Sequence, residues 1–317
     1  MSIIERAANR IEHKKEEPTI GSPAPLSAPE DQATQAPEPM IEAAMTRARA
    51  GAPAAGALAA GAPVARAPAP AIAPRPGARV VELDLARMQA MGLVTAAGGR
   101  TALVEDFRII KRPLLKRAFA EAAPGTRPGN LIMITSSLPG EGKTFCAINL
   151  AMSIAMELDH TVLLIDADVA RPSVLSTLGL PAERGLMDVL LDDKLDVADV
   201  MLRTNVDTLS ILPAGTSNPR ATELLASQTM DTLLGEIANR YPDRIVIFDS
   251  PPLLLTSEAH VLASHMGQIV VVVEAEQTTQ HAVQEALAQL EGMDNVNLIY
   301  NKTREFPGTE TYNYNYG

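Results

Sequence analysis

Residues 131–144 read LIMITSSLPGEGKT, an apolar run that passes into a glycine loop ending in Lys143 and Thr144. LIMITS has no polar alternation, as expected of a strand covered on both faces. The segment after the loop, TFCAINLAMSIAMEL (144–158), carries helical periodicity. Strand, glycine loop and helix in that order are the context a phosphate-binding loop requires. Gly140 and Gly142 let the backbone curl, so that its N–H groups and the helix amino terminus point at phosphate oxygens. Lys143 is then expected on the β and γ phosphates and the Thr144 hydroxyl on Mg²⁺. The first glycine of the G-x-x-x-x-G-K-[ST] pattern is replaced by Ser137.

The pattern continues outward from this loop. TVLLID (161–166), LSILP (209–213), RIVIFD (244–249), QIVVVVE (268–274) and NLIYN (297–301) are further apolar runs. Between them, ATELLASQTMDTLLGEIANRY (221–241) and TTQHAVQEALAQLEG (278–292) have helical spacing. The alternation predicts an α/β P-loop NTPase fold, a mostly parallel sheet flanked by helices. Two runs end in carboxylates, one in Asp166 followed by Asp168 and the other in Asp249. The carboxyl edge of an open α/β sheet is where ligands bind. Acidic side chains there, beside a loop threonine, suit a hard, oxygen-seeking Mg²⁺.

Upstream, the composition changes. Half of the 24 prolines lie between Pro18 and Pro76, in Ala/Pro/Gly-rich sequence with few large apolar residues. Such a stretch buries too little apolar surface to offset its ordering entropy. The expected organisation is a short amphipathic helix over 1–15, a disordered linker over 16–78, a folded domain over 79–304 and a flexible tail over 305–317. Within the domain, Asp84 is expected to cap a short helix that stops at Gly92. TALVEDFRIIKRPLLKRAF is expected to be helical up to Lys111 or Arg112, because Pro113 follows. A net charge of −11 argues against a nucleic-acid binder, which needs clustered Lys and Arg. The single cysteine, Cys146, excludes a disulfide framework. No apolar run reaches the roughly 18 residues of a membrane span. The expectation is a cytoplasmic chain whose membrane connection goes through a partner.

SSLPGEGKT, DADVARP, LPAGTSNPRATELLAS, FDSPPLL and a terminal tyrosine cluster stand in the order found in the bacterial tyrosine kinases of capsule and exopolysaccharide synthesis, which this sequence resembles over about 105–317. MSIIERAANRI and ARMQAMGLVTAAGGRTALVEDFRIIKRPLL also resemble the soluble autokinases of exosortase-linked loci. A more distant resemblance is to partition ATPases, whose additional early-loop lysine is Leu138 here. An ATPase switch and a nucleotide-binding scaffold without kinase activity are thus the alternative readings.

The kinase resemblance implies ATP and Mg²⁺ as cofactors. It places the nucleotide on Pro139, Gly140, Glu141, Gly142, Lys143, Thr144 and Phe145, with Asn301 reading adenine. It makes Asp166 the base, acting with Lys143 and Asp168, and puts the metal on Thr144, Asp168 and Asp249. It also implies a homo-oligomer, a ring assembled through Glu105, Arg108 and Lys111. Lysine at the last of these positions keeps the charge but lacks the bidentate fork of arginine, and Arg112 is the alternative. Implied partners are a membrane polysaccharide co-polymerase as activator and a protein-tyrosine phosphatase. The phosphoacceptors would be Tyr312, Tyr314 and Tyr316, three of the five tyrosines. From Asn301 the first and last lie 11 to 15 residues away, a reach of about 35 to 50 Å when extended. That length serves the chain's own site or a neighbour's.

Overall fold

The computed structural model describes residues 79–121, 125–241, 243–293 and 295–303. The expected helix over 1–15, the linker and the tyrosine cluster lie outside the described residues.

Among the described residues the chain begins with β1 (Val80–Val81), α1 (Leu85–Ala90) and α2 (Ala102–Ala118). It continues through β2 (Leu131–Ser136), α3 (Lys143–Ala155), β3 (Thr161–Asp166), α4 (Val174–Leu178), α5 (Leu186–Leu191) and α6 (Val197–Val200). Then come β4 (Leu202–Thr204), β5 (Leu209–Leu212), α7 (Ala221–Leu225), α8 (Gln228–Arg240) and β6 (Arg244–Asp249). The last elements are α9 (Ser257–Ala263), β7 (Gln268–Glu274), α10 (Gln280–Ala288) and β8 (Val296–Asn301). The strands form one sheet in the order β1-β4-β5-β3-β6-β2-β7-β8, parallel except where β4 meets β5. This is the α/β P-loop architecture expected from the apolar runs.

The continuous apolar strands are explained by a core on each side of the sheet. Leu131, Met133, Val246 and Phe248 enter the cluster under α5, α8 and α9. Ile132, Ile134, Ile245 and Ile247, the alternate residues of the same strands, enter the cluster under α1, α2, α3 and α4. Successive side chains of a strand point to opposite faces, so both sets must be apolar. The chain leaves β2 for β3 on one side and reaches β7 on the other. The carboxyl end of β2 therefore opens at a switch point of the sheet.

The helix starts follow local chemistry. Asp84 Oδ1 accepts from Arg87 N at 2.9 Å, and the short helix is followed by Gly92 at φ +76°. Two expectations are corrected. The helix α2 passes through Pro113 to Ala118 instead of stopping before it. Pro113 is solvent-exposed, so its missing N–H leaves no buried group unpaired, and Leu114 beyond it is buried, its carbonyl accepting from Gln268 Nε2 at 3.0 Å. The single helix expected over 221–241 is two, α7 and α8. Ser227 caps the second through Met230 N at 3.2 Å, a side-chain bond that favours a helix start over a helix interior. The strand β4, which carried no expectation, has three residues and pairs antiparallel with β5; it is too short to show a period.

Candidate active site

The phosphate loop leaves β2 at Ser136 and enters α3 at Lys143. Gly140 and Gly142 have φ of +88° and +97°, a region that non-glycine residues enter at a cost. A Cβ on Gly140 would meet nothing within 4 Å, whereas one on Gly142 would lie 2.1 Å from Asn301 Nδ2. One side of the loop is thus open and the other is packed. Among the described residues the main-chain N–H groups of Gly140, Glu141, Gly142, Lys143 and Thr144 donate to no protein acceptor. Converging free amides at a helix amino terminus suit phosphate oxygens.

The packed side is tied down by several bonds. Glu141 is 2% exposed. Its Oε2 accepts from Leu138 N at 2.6 Å, and its Oε1 accepts from the Thr278 hydroxyl. Asn301 Nδ2 donates to Glu141 O at 2.8 Å. Lys302 Nζ donates to Gly140 O at 2.8 Å and pairs with Glu274 at 3.0 Å. The ends of β7 and β8 hold the loop through these contacts. The Asn301 side chain keeps its Oδ1 available, an acceptor suited to an adenine amino group.

On the open side, parallel pairing sets Asp166 and Asp249 opposite each other at the ends of β3 and β6. Asp166 Oδ2 accepts from Ser173 N and Val174 N, both at 2.9 Å, while its Oδ1 is buried without a partner. Both carboxylate oxygens of Asp249 are buried and accept no hydrogen bond of good geometry. Burial pushes Asp166 up to about 6, with its two backbone donors pulling down and Asp168 pushing up. Burial likewise raises Asp249 to about 7, against the pull of Lys143 and with a further push from Asp166. Lys143 Nζ lies 2.9 Å from Asp168 Oδ2. Burial disfavours the lysine charge, but Asp249, Asp168 and Asp166 together outweigh it and raise its pKa. Asp168 stands two residues beyond the end of β3 and still reaches the loop lysine.

Thr144 Oγ1 and Ser173 Oγ are 2.8 Å apart, so the loop threonine and the turn after Asp166 are in contact. Unpartnered buried oxygens on Asp249 and Asp166 beside a threonine hydroxyl fit a hard cation. Among the described residues no three His, Cys, Asp or Glu side chains converge as a cage. Cys146, under the loop, is 1% exposed and its thiol is pushed up to about 12 by burial and by Asp249. It is inert as a nucleophile.

Several contacts were not singled out from the sequence. Ser173 has no motif of its own, and only its place seven residues after Asp166 could have suggested it. The same holds for Lys302 beside Asn301. Asp188 pins the LPAGTS segment, accepting from Gly185 N at 2.8 Å, Thr216 N at 3.1 Å and Thr216 Oγ1 at 2.8 Å. Those donors hold its pKa down against the effect of burial.

The trio on α2 separates. Glu105 and Arg108 form an exposed i,i+3 pair at 2.5 Å. Lys111 is 4% exposed, with Nζ 2.5 Å from both Ser153 O and Glu157 Oε1. Lys111 therefore ties α2 to α3 within the chain, and Arg112 is the exposed cation beside it.

Comparison with known proteins agrees with this geometry. The AAA domain family model matches residues 129–303, more than half of the chain. The tyrosine-protein kinase YwqD of Bacillus subtilis is 35% identical over 182 residues, covering 57% of this chain and 73% of YwqD. The tyrosine-protein kinase CpsD of Streptococcus agalactiae is 30% identical over 193 residues, covering 60% of this chain and 83% of CpsD. EpsB of Ralstonia solanacearum, a putative tyrosine-protein kinase 30% identical over 190 residues, is much longer, and the chain spans 24% of it. Among solved structures, the BceF tyrosine kinase domain superposes with a TM-score of 0.56 at 27% identity, over 70% of this chain and 91% of that domain. The VpsO kinase domain gives 0.53 at 27% identity, over 63% and 96%. A two-core parallel sheet, a glycine loop with free amides and an edge of buried carboxylates thus come with the same relatives from sequence and from structure, and the chain belongs to the bacterial tyrosine-kinase family of P-loop AAA-domain proteins.

Proposed function

We propose that this chain is an ATP- and Mg²⁺-dependent protein-tyrosine autokinase. It transfers the γ-phosphoryl group of ATP to the C-terminal tyrosines Tyr312, Tyr314 and Tyr316, in trans within an oligomer, and thereby regulates exopolysaccharide polymerisation and export. The observation that carries the reading is the pair of buried carboxylates with unpartnered oxygens, Asp166 and Asp249, beside a loop of free amides and Lys143.

In this reading the loop amides and Lys143 hold the phosphates, with Lys143 exchanging its Asp168 partner for phosphate oxygens. Phosphoryl transfer needs mainly positioning and charge neutralisation. Thr144, Asp168 and Asp249 would hold Mg²⁺, which when bound would supply neutralisation of phosphate charge. A tyrosine hydroxyl, with a pKa of about 10, is rarely ionised at neutral pH, so a positioned acceptor for its proton assists the step. Asp166 is that acceptor. Its Oδ2 is fixed by two amides, its Oδ1 is unbonded, and its pKa of about 6 leaves it ionised at neutral pH yet more basic than an exposed carboxylate. The phenolic O–H bond breaks toward Asp166 as the new O–P bond forms, and ADP leaves. Asn301 Oδ1 selects adenine.

The exposed Glu105–Arg108 pair belongs to the self-association surface, with Arg112 taking the outer position that buried Lys111 does not fill. A membrane polysaccharide co-polymerase activates the kinase and recruits it to the membrane, and a tyrosine phosphatase reverses it. Among the described residues no helix is long and apolar enough to cross a membrane, which suits recruitment by a partner.

The test is mass-spectrometric mapping of phosphate on the full chain after incubation with ATP and Mg²⁺, beside Lys143→Ala. Phosphate on the terminal tyrosines that vanishes in the variant is expected. ATP hydrolysis with a bare tail, even when the activating partner is added, would replace the kinase by an ATPase switch.

A further inference from the structure

Arg244 opens β6 at the edge of the sheet opposite the phosphate loop, about 17 Å along the strand from Asp249. It is 4% exposed. Its guanidinium carbon lies 3.9 Å from the Tyr241 ring centroid. Among the described residues no carboxylate stands within ion-pair distance of the guanidinium, no oxygen accepts any of its side-chain N–H groups, and Nε is fully buried. A guanidinium carries five donors and stays charged in proteins. Cation–π contact offsets part of its desolvation, but a buried Nε–H without an acceptor is an unfavourable arrangement. Burial depresses its pKa, with Tyr241 and Asp243 opposing the shift and Arg240 adding to it.

The side chain lines a cavity of about 30 Å³ between α6, α8 and β6. Its walls are mainly apolar, from Leu163, Val197, Ala198, Met201 and Ile237. Val197 and Glu236 also line a wider groove of about 490 Å³ along α8. Arg240, a second cation at the cavity, lies 3.8 Å from Asp196. The volume is enough for a group of a few heavy atoms. An apolar wall and a carboxylate at the rim favour a singly charged ligand with a short carbon chain over a phosphate dianion.

We propose that Arg244 forms the floor of a binding site for a small carboxylate, separate from the nucleotide site. Two carboxylate oxygens accept two guanidinium N–H groups in parallel, the geometry for which arginine is suited. The carbon chain packs on the apolar wall and leads toward the groove along α8.

The experiment is calorimetric titration and thermal unfolding of the full chain with propionate. ADP is kept saturating so that the phosphate loop is filled, and inorganic phosphate is titrated in parallel. Propionate is expected to bind the wild type and raise its Tm. Affinity should fall at least about tenfold in Arg244→Met, since a tenfold change corresponds to the loss of one modest interaction. Arg244→Lys keeps the charge without the fork and serves as a second variant should the first fail to fold, with a similar loss expected. No response of the wild type, or equal responses in all three proteins, would overturn the site. A response to phosphate alone would overturn the carboxylate assignment.

Discussion

Two glycines of the phosphate loop make different demands. Both have positive φ, and alanine in that region costs about 1–2 kcal/mol. Only Gly142 also faces Asn301, whose amide would lie 2.1 Å from a new Cβ. Gly142→Ala should push Asn301 off Glu141 O and forfeit a hydrogen bond of about 1 kcal/mol. Its total cost should be about 2–3 kcal/mol, about 1 kcal/mol more than that of Gly140→Ala. Gly140→Ala intrudes on the open phosphate side and should act mainly on nucleotide affinity. Denaturant unfolding with nucleotide titration separates the two, and equal destabilisation by both would remove Asn301 as the constraint. At this scale the sequence shows residues whose role follows from chain order: Gly140, Gly142, Lys143, and aspartates that end apolar runs. It does not show Ser173 against Thr144, Thr278 on Glu141, or Lys302 on Gly140. Those depend on segments far apart in sequence meeting at one edge, for which no local pattern exists. Arg244 was hidden for a related reason, because a charge at the head of a strand reads as exposed until the covering helices are placed.

Among the elements, strands were the most legible. LIMITS, TVLLID, RIVIFD and QIVVVVE coincide with β2, β3, β6 and β7, because burial on both faces leaves an uninterrupted apolar run. Breaks within helical stretches were not, since Ser227 differs from an ordinary surface serine only through the cap it makes. The helix α2 shows how tertiary anchors override a local stop signal. Leu114 and Lys111, on either side of Pro113, are both buried against neighbouring elements. Glu157 completes the Lys111 anchor, and its hydrogen bond to Lys111 is the main reason that its pKa lies below the ordinary 4.5, against a smaller effect of burial. A depressed folded-state pKa contributes stability that is present above the unfolded value and lost as pH falls through the folded one. Glu157→Gln should accordingly be less stable than the wild type at pH 7, and the difference should close below about pH 4.5. With Glu157 43% exposed, the gap should be about 1 kcal/mol or less. Chemical denaturation at pH 7 and pH 3.5 checks it, and a gap undiminished at the lower pH would show that the glutamate charge is not what matters.

At the scale of the whole chain, the sheet edge with the phosphate loop and the proposed acceptor tyrosines are joined by a short length of sequence after β8. A tail of 11 to 15 residues from Asn301 spans about 35–50 Å when extended, enough for its own site or a neighbour's. Reach leaves cis and trans transfer open, and the proposed self-association would favour trans. Mixing two defective chains separates them. One is Lys143→Ala, which has acceptor tyrosines but a disabled loop. The other has Tyr312, Tyr314 and Tyr316 replaced by phenylalanine and keeps the loop. Transfer in trans should place phosphate on the Lys143→Ala chain only in the mixture, with a rate that rises with concentration. Each phosphate adds about −1.5 to −2 charges at pH 7 to a chain already at −11. Repulsion between tails gathered at one assembly should then weaken it, so the phosphorylated wild type should sediment as smaller species than the unmodified one. A mixture that stays unphosphorylated while the wild type modifies itself, at a rate independent of concentration, would establish cis transfer and remove the link between assembly and activity.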